Sequence, residues 1–130
     1  YLIKERKSLP PGKAKEVISL GLGCLLHDVG KMKIPKEILD KPGRLTPEEM
    51  DEIRKHPTIG YEMVKGEIPL VAGQVVLHHH QRWDGKGYPR LTNSQTGEAL
   101  EALSGDKIPV FARIATICDV FDAATSKRVY

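Results

Sequence analysis

The sequence is poor in aromatic residues and cysteine, and it contains no long apolar run. Two phenylalanines, four tyrosines and one tryptophan are too few for an aromatic core, so leucine, isoleucine, valine and alanine must fill it. No apolar stretch approaches the ~20 residues that a membrane-spanning helix needs, and no secretory signal is visible. We therefore expect a cytoplasmic domain with an aliphatic core. Membrane attachment through another domain of a larger protein stays open.

Cysteine usage and charge narrow the class further. Cys24 and Cys118 lie in apolar segments without a CxxC or CxxH neighbour, so we expect a buried, reduced pair. The 20 basic and 17 acidic residues leave a formal net charge of +3. This charge is compatible with a small anionic ligand. The basic residues form no stripe or reading helix, so we expect no DNA binding.

Apolar residues recur at helical rather than alternating spacing, which predicts an all-α fold. Thr46 as N-cap, followed by Pro47 and Glu49, predicts the capped start of one helix. The first and last helices are apolar over more than one face, so we expect both to be buried in the bundle. Besides the capped helix, the expected helices cover 13–29, 58–66, 69–80 and 109–126, with a short one at 98–103.

Histidines and aspartates gather at the ends or in the middle of these helices. Asp119 lies within the apolar last helix, where an unpaired carboxylate is costly. Taken singly, each residue has a simpler explanation, such as a hydrogen-bonded buried histidine or an ion pair of Asp119 with Arg113. Together they favour a metal site, and imidazole with carboxylate suits iron, manganese, zinc or nickel rather than calcium. The candidates are His27, Asp28, His56, the run His78 to His80, Asp119 and Asp122.

Five motifs then occur in an order that resembles the HD-GYP domain, a branch of the HD phosphohydrolase superfamily that hydrolyses cyclic di-GMP. The resemblance implies an all-α HD-domain helical bundle with a loop-rich GYP segment, and one domain over 1–130 with its core motifs in 23–130. The motifs are HDVGKMKIP from His27, KPGRLTPEE from Lys41, HP with Gly60 following, HHQRWDGKGYP from His79, and FARIATICDVFDAATSKRVY from Phe111.

The resemblance also implies roles for individual residues. It implies two or three divalent metal ions, most often iron or manganese, with Asp28 bridging two of them. Lys31 is implied to lie near the catalytic water, and Lys31, Asp122 and Arg128 to contact the substrate. His78 falls outside the histidine pair of the family. The implied metal ligands are His27, Asp28, His56, His79, His80 and Asp119, and the motif loop carries Asp84, Gly85, Gly87, Tyr88 and Pro89.

Three features differ from the family pattern. The family has a histidine upstream of the HD pair and further helices after Arg128, so we expect these 130 residues to be an incomplete domain at both ends. Gln81 stands where the family has glutamate, which keeps hydrogen bonding but removes a charge. The 90–108 segment is about ten residues longer than usual; we expect a passive surface loop, with a lid or partner contact as the alternative.

The sequence thus predicts a metal-dependent phosphodiesterase that converts cyclic di-GMP to linear pGpG, GMP or both. The alternatives are a catalytically inactive cyclic-dinucleotide sensor or docking module, and an HD phosphohydrolase for another nucleotide. A purely structural helical bundle is a third alternative. Expected partners besides a cyclic dinucleotide are a GGDEF-type cyclase or another signalling protein, and a second copy of the chain.

Overall fold

The computed structural model describes residues 11–126, which form a helical bundle. Within this range there is no β-strand, only an isolated antiparallel bridge between Thr92 and Ala99. Two short 3₁₀ helices, Val29–Lys33 and Gly105–Lys107, complete the regular structure. The all-α prediction is confirmed. The α-helices are α1 (Pro11–Leu26), α2 (Lys36–Leu39), α3 (Pro47–Ile53), α4 (His56–Val64), α5 (Leu70–His78) and α6 (Val110–Thr125).

The start of α3 follows the predicted capping box. The Thr46 hydroxyl accepts a hydrogen bond from the Glu49 backbone N–H at 3.2 Å, and the Glu49 carboxylate accepts one from the Thr46 N–H at 2.8 Å. These bonds satisfy two backbone donors that a helix start would otherwise leave unpaired. Lys41 also donates to Glu49, at 2.6 and 2.9 Å, and so ties the preceding turn to the helix.

Helix α5 is the centre of the described bundle and packs against α1, α4 and α6. Its residues Ala72, Val75 and Val76 are fully buried, as is Ala112 of α6. The 3₁₀ helix Val29–Lys33, which follows α1, packs closely against α4. A Cβ on Gly30 would lie 1.9 Å from the His56 backbone oxygen, so only glycine allows this approach. These two contacts bring the end of α1, the start of α4 and the end of α5 together.

The prediction that α1 and α6 are buried is wrong for the described part of the chain. Ile18 and Leu25 of α1 are 69% and 84% exposed, and Ile117 and Phe121 of α6 are 70% and 68% exposed. Each helix lays one face on the bundle, and no other element within residues 11–126 covers its remaining apolar side chains. Apolar spacing shows which side chains can be buried, but it cannot supply the neighbour that buries them.

Two smaller predictions are also wrong. Cys118 is exposed and Cys24 only half-buried, so the expected burial is wrong, whereas both are free thiols, as expected of a reduced pair. The 98–103 segment is not helical. The Asn93 side chain accepts hydrogen bonds from the backbone N–H groups of Gln95 and Thr96, which reverses the chain and pairs 91–93 with 98–100. None of the helices in the described part is long and apolar enough to cross a bilayer.

Candidate metal centre

Helix ends deliver the histidines to one place. His27 and Asp28 follow the last residue of α1, His56 is the first residue of α4, and His79 and His80 follow the last residue of α5. His56 and His79 are almost fully buried, each 1% exposed. Residues from three distant segments therefore share a small volume beside the core.

Three of the histidine rings are oriented in the same way by their own segments. In each ring Nδ1 lies within hydrogen-bond distance of a backbone carbonyl oxygen three residues earlier. A carbonyl oxygen only accepts, so Nδ1 carries the hydrogen, and in the neutral ring Nε2 presents a lone pair. The pairs are His27 with the Cys24 oxygen at 2.5 Å, His56 with the Ile53 oxygen at 2.8 Å, and His79 with the Val76 oxygen at 2.8 Å.

The Nε2 atoms of His56 and His79 face each other 3.2 Å apart. Two lone pairs at this distance repel unless a proton or another cation lies between them. The Oδ1 atom of Asp28 lies 3.3 Å from His56 Nε2 and 3.8 Å from His79 Nε2. With His80 included, one ligand atom from each of the four residues lies within 4.8 Å of all the others. Ligands about 2.1 Å from a shared ion can be up to about 4.2 Å apart, so a slight contraction would complete a coordination shell.

The other oxygen of Asp28 faces a second set of groups. Oδ2 lies 3.3 Å from His27 Nε2 and 3.1 Å from the Lys31 ammonium. His27 Nε2 is also 3.6 Å from Asp119 Oδ1 of α6. The Asp28 carboxylate therefore lies between two groups of potential ligands, with one oxygen directed to each.

The His27 and Asp28 side chains of this second group form an ion pair. The hydrogen bond to Asp28 raises the pKa of His27 to about 9, although burial opposes this. Burial alone would raise the pKa of Asp28, but its contacts with His27 and His56 and the Lys31 charge hold it far below its usual range. Asp28 is thus ionised and His27 protonated near neutral pH.

The three consecutive histidines at the end of α5 are neutral at the same pH. Burial lowers the pKa of His79 to about 3 and that of His80 to about 4. Burial also lowers the pKa of His78, whose Nδ1 atom has no hydrogen-bond partner among residues 11–126. His78 lies outside the four-residue cluster. Neutral rings are the form in which histidine binds metals.

The motif loop folds back onto the end of α5. The ring of Tyr88 stacks on His80 with 4.7 Å between centroids, and the Tyr88 N–H donates to the His80 carbonyl. Burial raises the pKa of Tyr88 to about 12, so its hydroxyl stays neutral. The loop turns at Gly85, whose φ is +75°, and the Asp84 side chain accepts from the Lys86 N–H and pairs with Arg82. Asp84 thus stabilises the turn.

Other predicted site residues have different positions. Asp122 lies one turn beyond Asp119 on α6, where it accepts a hydrogen bond from the Ser126 hydroxyl. Arg128 lies outside the described residues. Arg113 pairs with Asp106 at 3.3 Å, while Asp119 approaches His27, so the ion pair considered for Asp119 is not formed.

Thr116 is a residue that the sequence did not single out. Its hydroxyl lies 2.6 Å from the His79 carbonyl oxygen and 2.8 Å from that of Ala112, so α6 is tied directly to the end of α5. The signal was present, because Thr116 precedes Asp119 by three residues and so shares its helix face.

Comparison with known proteins gives the family to which this helical bundle and its histidine–aspartate cluster belong. The chain belongs to the HD domain family, whose model matches residues 8–130.

Three relatives illustrate the similarity. The chain is 41% identical to the cyclic di-GMP phosphodiesterase response regulator RpfG of Xanthomonas campestris, over 89% of the chain and 29% of that protein. It is 41% identical to a cyclic di-GMP phosphodiesterase of Thermotoga maritima, over 88% of the chain and 29% of that protein. It is 43% identical to the 3'3'-cGAMP-specific phosphodiesterase 2 of Vibrio cholerae, over 81% of the chain and 19% of that protein. The chain thus spans less than a third of each relative.

Proposed function

We propose that residues 1–130 belong to an HD-GYP domain that hydrolyses cyclic di-GMP, or a closely related 3'3'-cyclic dinucleotide, in a metal-dependent reaction. The observation that carries this proposal is the position of the Asp28 carboxylate between two groups of imidazole ligands. The relatives are named as phosphodiesterases of cyclic di-GMP or of 3'3'-cGAMP, and these names support the substrate class.

The donor set fits two divalent ions that share Asp28. His56, His79, His80 and Asp28 Oδ1 would hold one, and His27, Asp119 and Asp28 Oδ2 would hold the other. Nitrogen and carboxylate ligands suit iron, manganese, zinc or nickel, and we propose iron or manganese from the family resemblance. When bound, such a pair lowers the pKa of a water nucleophile and offsets the charge that develops on the phosphodiester.

The chain's own residues supply the rest of the chemistry. Asp28 is ionised without any ion present, and His79 and His80 are neutral, so these ligands need lose no proton before binding. Lys31 is 38% exposed and lies 3.1 Å from Asp28, so its ammonium borders the open side of the site. There it would bind a phosphate oxygen of the substrate or orient the nucleophile.

The test is turnover of cyclic di-GMP by the full-length protein, purified without oxygen and loaded with Fe²⁺ or Mn²⁺. We expect metal-dependent release of pGpG or GMP, and loss of at least two orders of magnitude in rate in Asp28→Asn. Asp40→Asn is the matched control, because Asp40 is an exposed aspartate that approaches Lys36 at 3.9 Å, outside the cluster. Binding of the nucleotide without turnover, in protein that holds both ions, would replace the enzyme by an inactive sensor or docking module.

The preferred cyclic dinucleotide needs a separate measurement. Relatives with names for both cyclic di-GMP and 3'3'-cGAMP match this chain at similar identity. Comparing kcat/KM for the two substrates, with each as competitor of the other, would assign the preference. Equal rates would indicate a site that does not distinguish the second base.

A further inference from the structure

The ring of His80 is held differently from the other rings of the cluster. His27, His56 and His79 each donate Nδ1–H to a backbone carbonyl of their own segment. Within residues 11–126 the His80 ring makes no hydrogen bond, and its contacts are with other rings. Tyr88 stacks on it, with an interplanar angle of 16° at 4.7 Å, whereas His79 is tilted by 47° at 4.2 Å and His56 meets it edge-on. Of these three rings only Tyr88 stacks on His80, so the position of Tyr88 bears most directly on the orientation of His80.

Tyr88 in turn depends on how the 82–89 loop closes on its own start. The Tyr88 N–H donates to the His80 carbonyl at 3.1 Å. Gly87 allows this closure, because a Cβ there would lie 2.5 Å from the His80 oxygen and 2.6 Å from the Gln81 Cα. The loop therefore returns to within van der Waals contact of residues 80 and 81.

Gln81 makes the second bond that closes the loop. Its side chain is buried, with 4% of the residue exposed, and its amide nitrogen donates to the Pro89 carbonyl at 2.7 Å. A carbonyl oxygen only accepts, so in this chain the Gln81 amide supplies the N–H donor. The glutamate of the family pattern has the same length, and it could make this bond only through the O–H of its protonated form.

We propose that Gln81 is a positioning residue for His80. Its amide bond to Pro89 fixes Tyr88, and the Tyr88 ring fixes the imidazole plane of His80 toward the shared ion. The inference rests on the proposed function only in taking His80 as a metal ligand. It assigns the side-chain donor at position 81 a role in setting metal affinity.

The experiment measures Co²⁺ binding to the full-length, metal-free protein by titration and by the visible absorption of the bound ion. Gln81→Met removes the donor without adding charge, so we expect affinity to fall by about 10–100-fold, the usual effect of losing support for a metal-binding histidine, with a changed Co²⁺ spectrum. Gln81→Leu also lacks a donor, so it should show the same loss and covers failure of the first variant to fold. Gln74→Met, on α5, makes the same change without touching the loop and should bind as the wild type does.

Variants of Tyr88 test whether Gln81 acts on His80 through the Tyr88 ring. Tyr88→Phe keeps the stacked ring and should keep wild-type affinity, whereas Tyr88→Leu should weaken binding as Gln81→Met does. The double variant Gln81→Met with Tyr88→Leu should bind no more weakly than the weaker of the two single variants, because both changes act on His80 through one contact.

Several outcomes would overturn the proposal. Wild-type affinity and spectrum in Gln81→Met would show that the amide is not needed. Loss in Gln81→Leu alone would assign the effect to side-chain shape, and additive losses in the double variant would exclude the route through Tyr88. A wild-type protein that binds no Co²⁺ would overturn the metal centre itself, whereas a binding wild type with an unaffected Gln81→Met would overturn this inference alone.

Discussion

The close contact between Gly30 and His56 predicts that Gly30→Ala destabilises the fold, whereas a control substitution, Gly21→Ala, should stabilise it. A methyl group at position 30 would lie 1.9 Å from the His56 backbone oxygen and 2.6 Å from the Gly60 nitrogen. An ordinary contact needs at least about 3.2 Å, so the two segments must separate by more than 1 Å. Both partners are backbone atoms and cannot rotate away. We expect Gly30→Ala to lower the free energy of unfolding by at least about 1–3 kcal/mol, the usual cost of overpacking.

The control is Gly21→Ala on α1. A Cβ at Gly21 meets nothing within 4 Å, and the residue is exposed within a helix. Alanine is favoured over glycine in helices by about 0.8–1.0 kcal/mol, so this variant should be more stable than the wild type. The same Gly→Ala change should therefore have opposite effects at the two positions.

Urea denaturation followed by circular dichroism measures both variants, and Co²⁺ titration adds a second observable. Gly30→Ala should also weaken metal binding, because it moves the segment that carries Asp28 away from His56. Gly21→Ala should leave metal affinity unchanged. If Gly30→Ala were as stable as Gly21→Ala, the close approach of these segments, and with it the geometry of the candidate centre, would be wrong.

Three further predictions concern single groups. His27, with a pKa of about 9, is about 97% protonated at pH 7.5. Metal uptake that uses its Nε2 should therefore release close to one proton at pH 7.5 and far less at pH 10, and calorimetry in two buffers of different ionisation enthalpy measures this release. A proton release that did not vary with pH would exclude His27 as a ligand. In urea denaturation, Thr116→Val should lower the free energy of unfolding by about 1 kcal/mol, because it removes the hydroxyl that bonds the His79 carbonyl. Thr116→Ser retains the hydroxyl and should keep the wild-type free energy of unfolding. An equal loss in both variants would assign the effect to packing. The hydrogen bond from Lys41 lowers the pKa of Glu49. The stabilising contribution of Glu49 is therefore present above its unfolded-state pKa and is lost as pH falls through its folded-state pKa. The difference in urea midpoint between wild type and Glu49→Gln should shrink below about pH 4, and a difference that stays constant with pH would contradict this prediction.

Local features of the fold were predictable from the sequence. The capping box at Thr46 and Glu49 depends on residues three apart, and it forms as expected. The helices that end or begin at the histidines also follow from local apolar spacing and from Pro57, which is tolerated in the first turn of α4. Short-range chemistry decides these features, and a single sequence contains it.

Features that depend on distant neighbours were not predictable from spacing. The exposure of Leu25 and Phe121 reflects which elements surround α1 and α6, and the loop at 98–103 follows the side-chain bonds of Asn93 rather than helix propensity. In the candidate site, residue types indicated a cluster, but the pairing of one Asp28 oxygen with each ligand group requires coordinates. The same is true of Thr116, whose bond to His79 spans 37 positions.

Each of three rings in the candidate centre bonds a backbone carbonyl of its own segment, so each helix end presents its imidazole in a fixed orientation. An ion held as proposed would then serve as a cross-link between three segments far apart in the chain, in addition to any chemical role. Free ion at 100 times its dissociation constant would stabilise the fold by about 2.7 kcal/mol, a large share for a bundle that leaves much apolar surface uncovered. Occupancy of the centre would accordingly control how long the domain persists, as well as how fast it works.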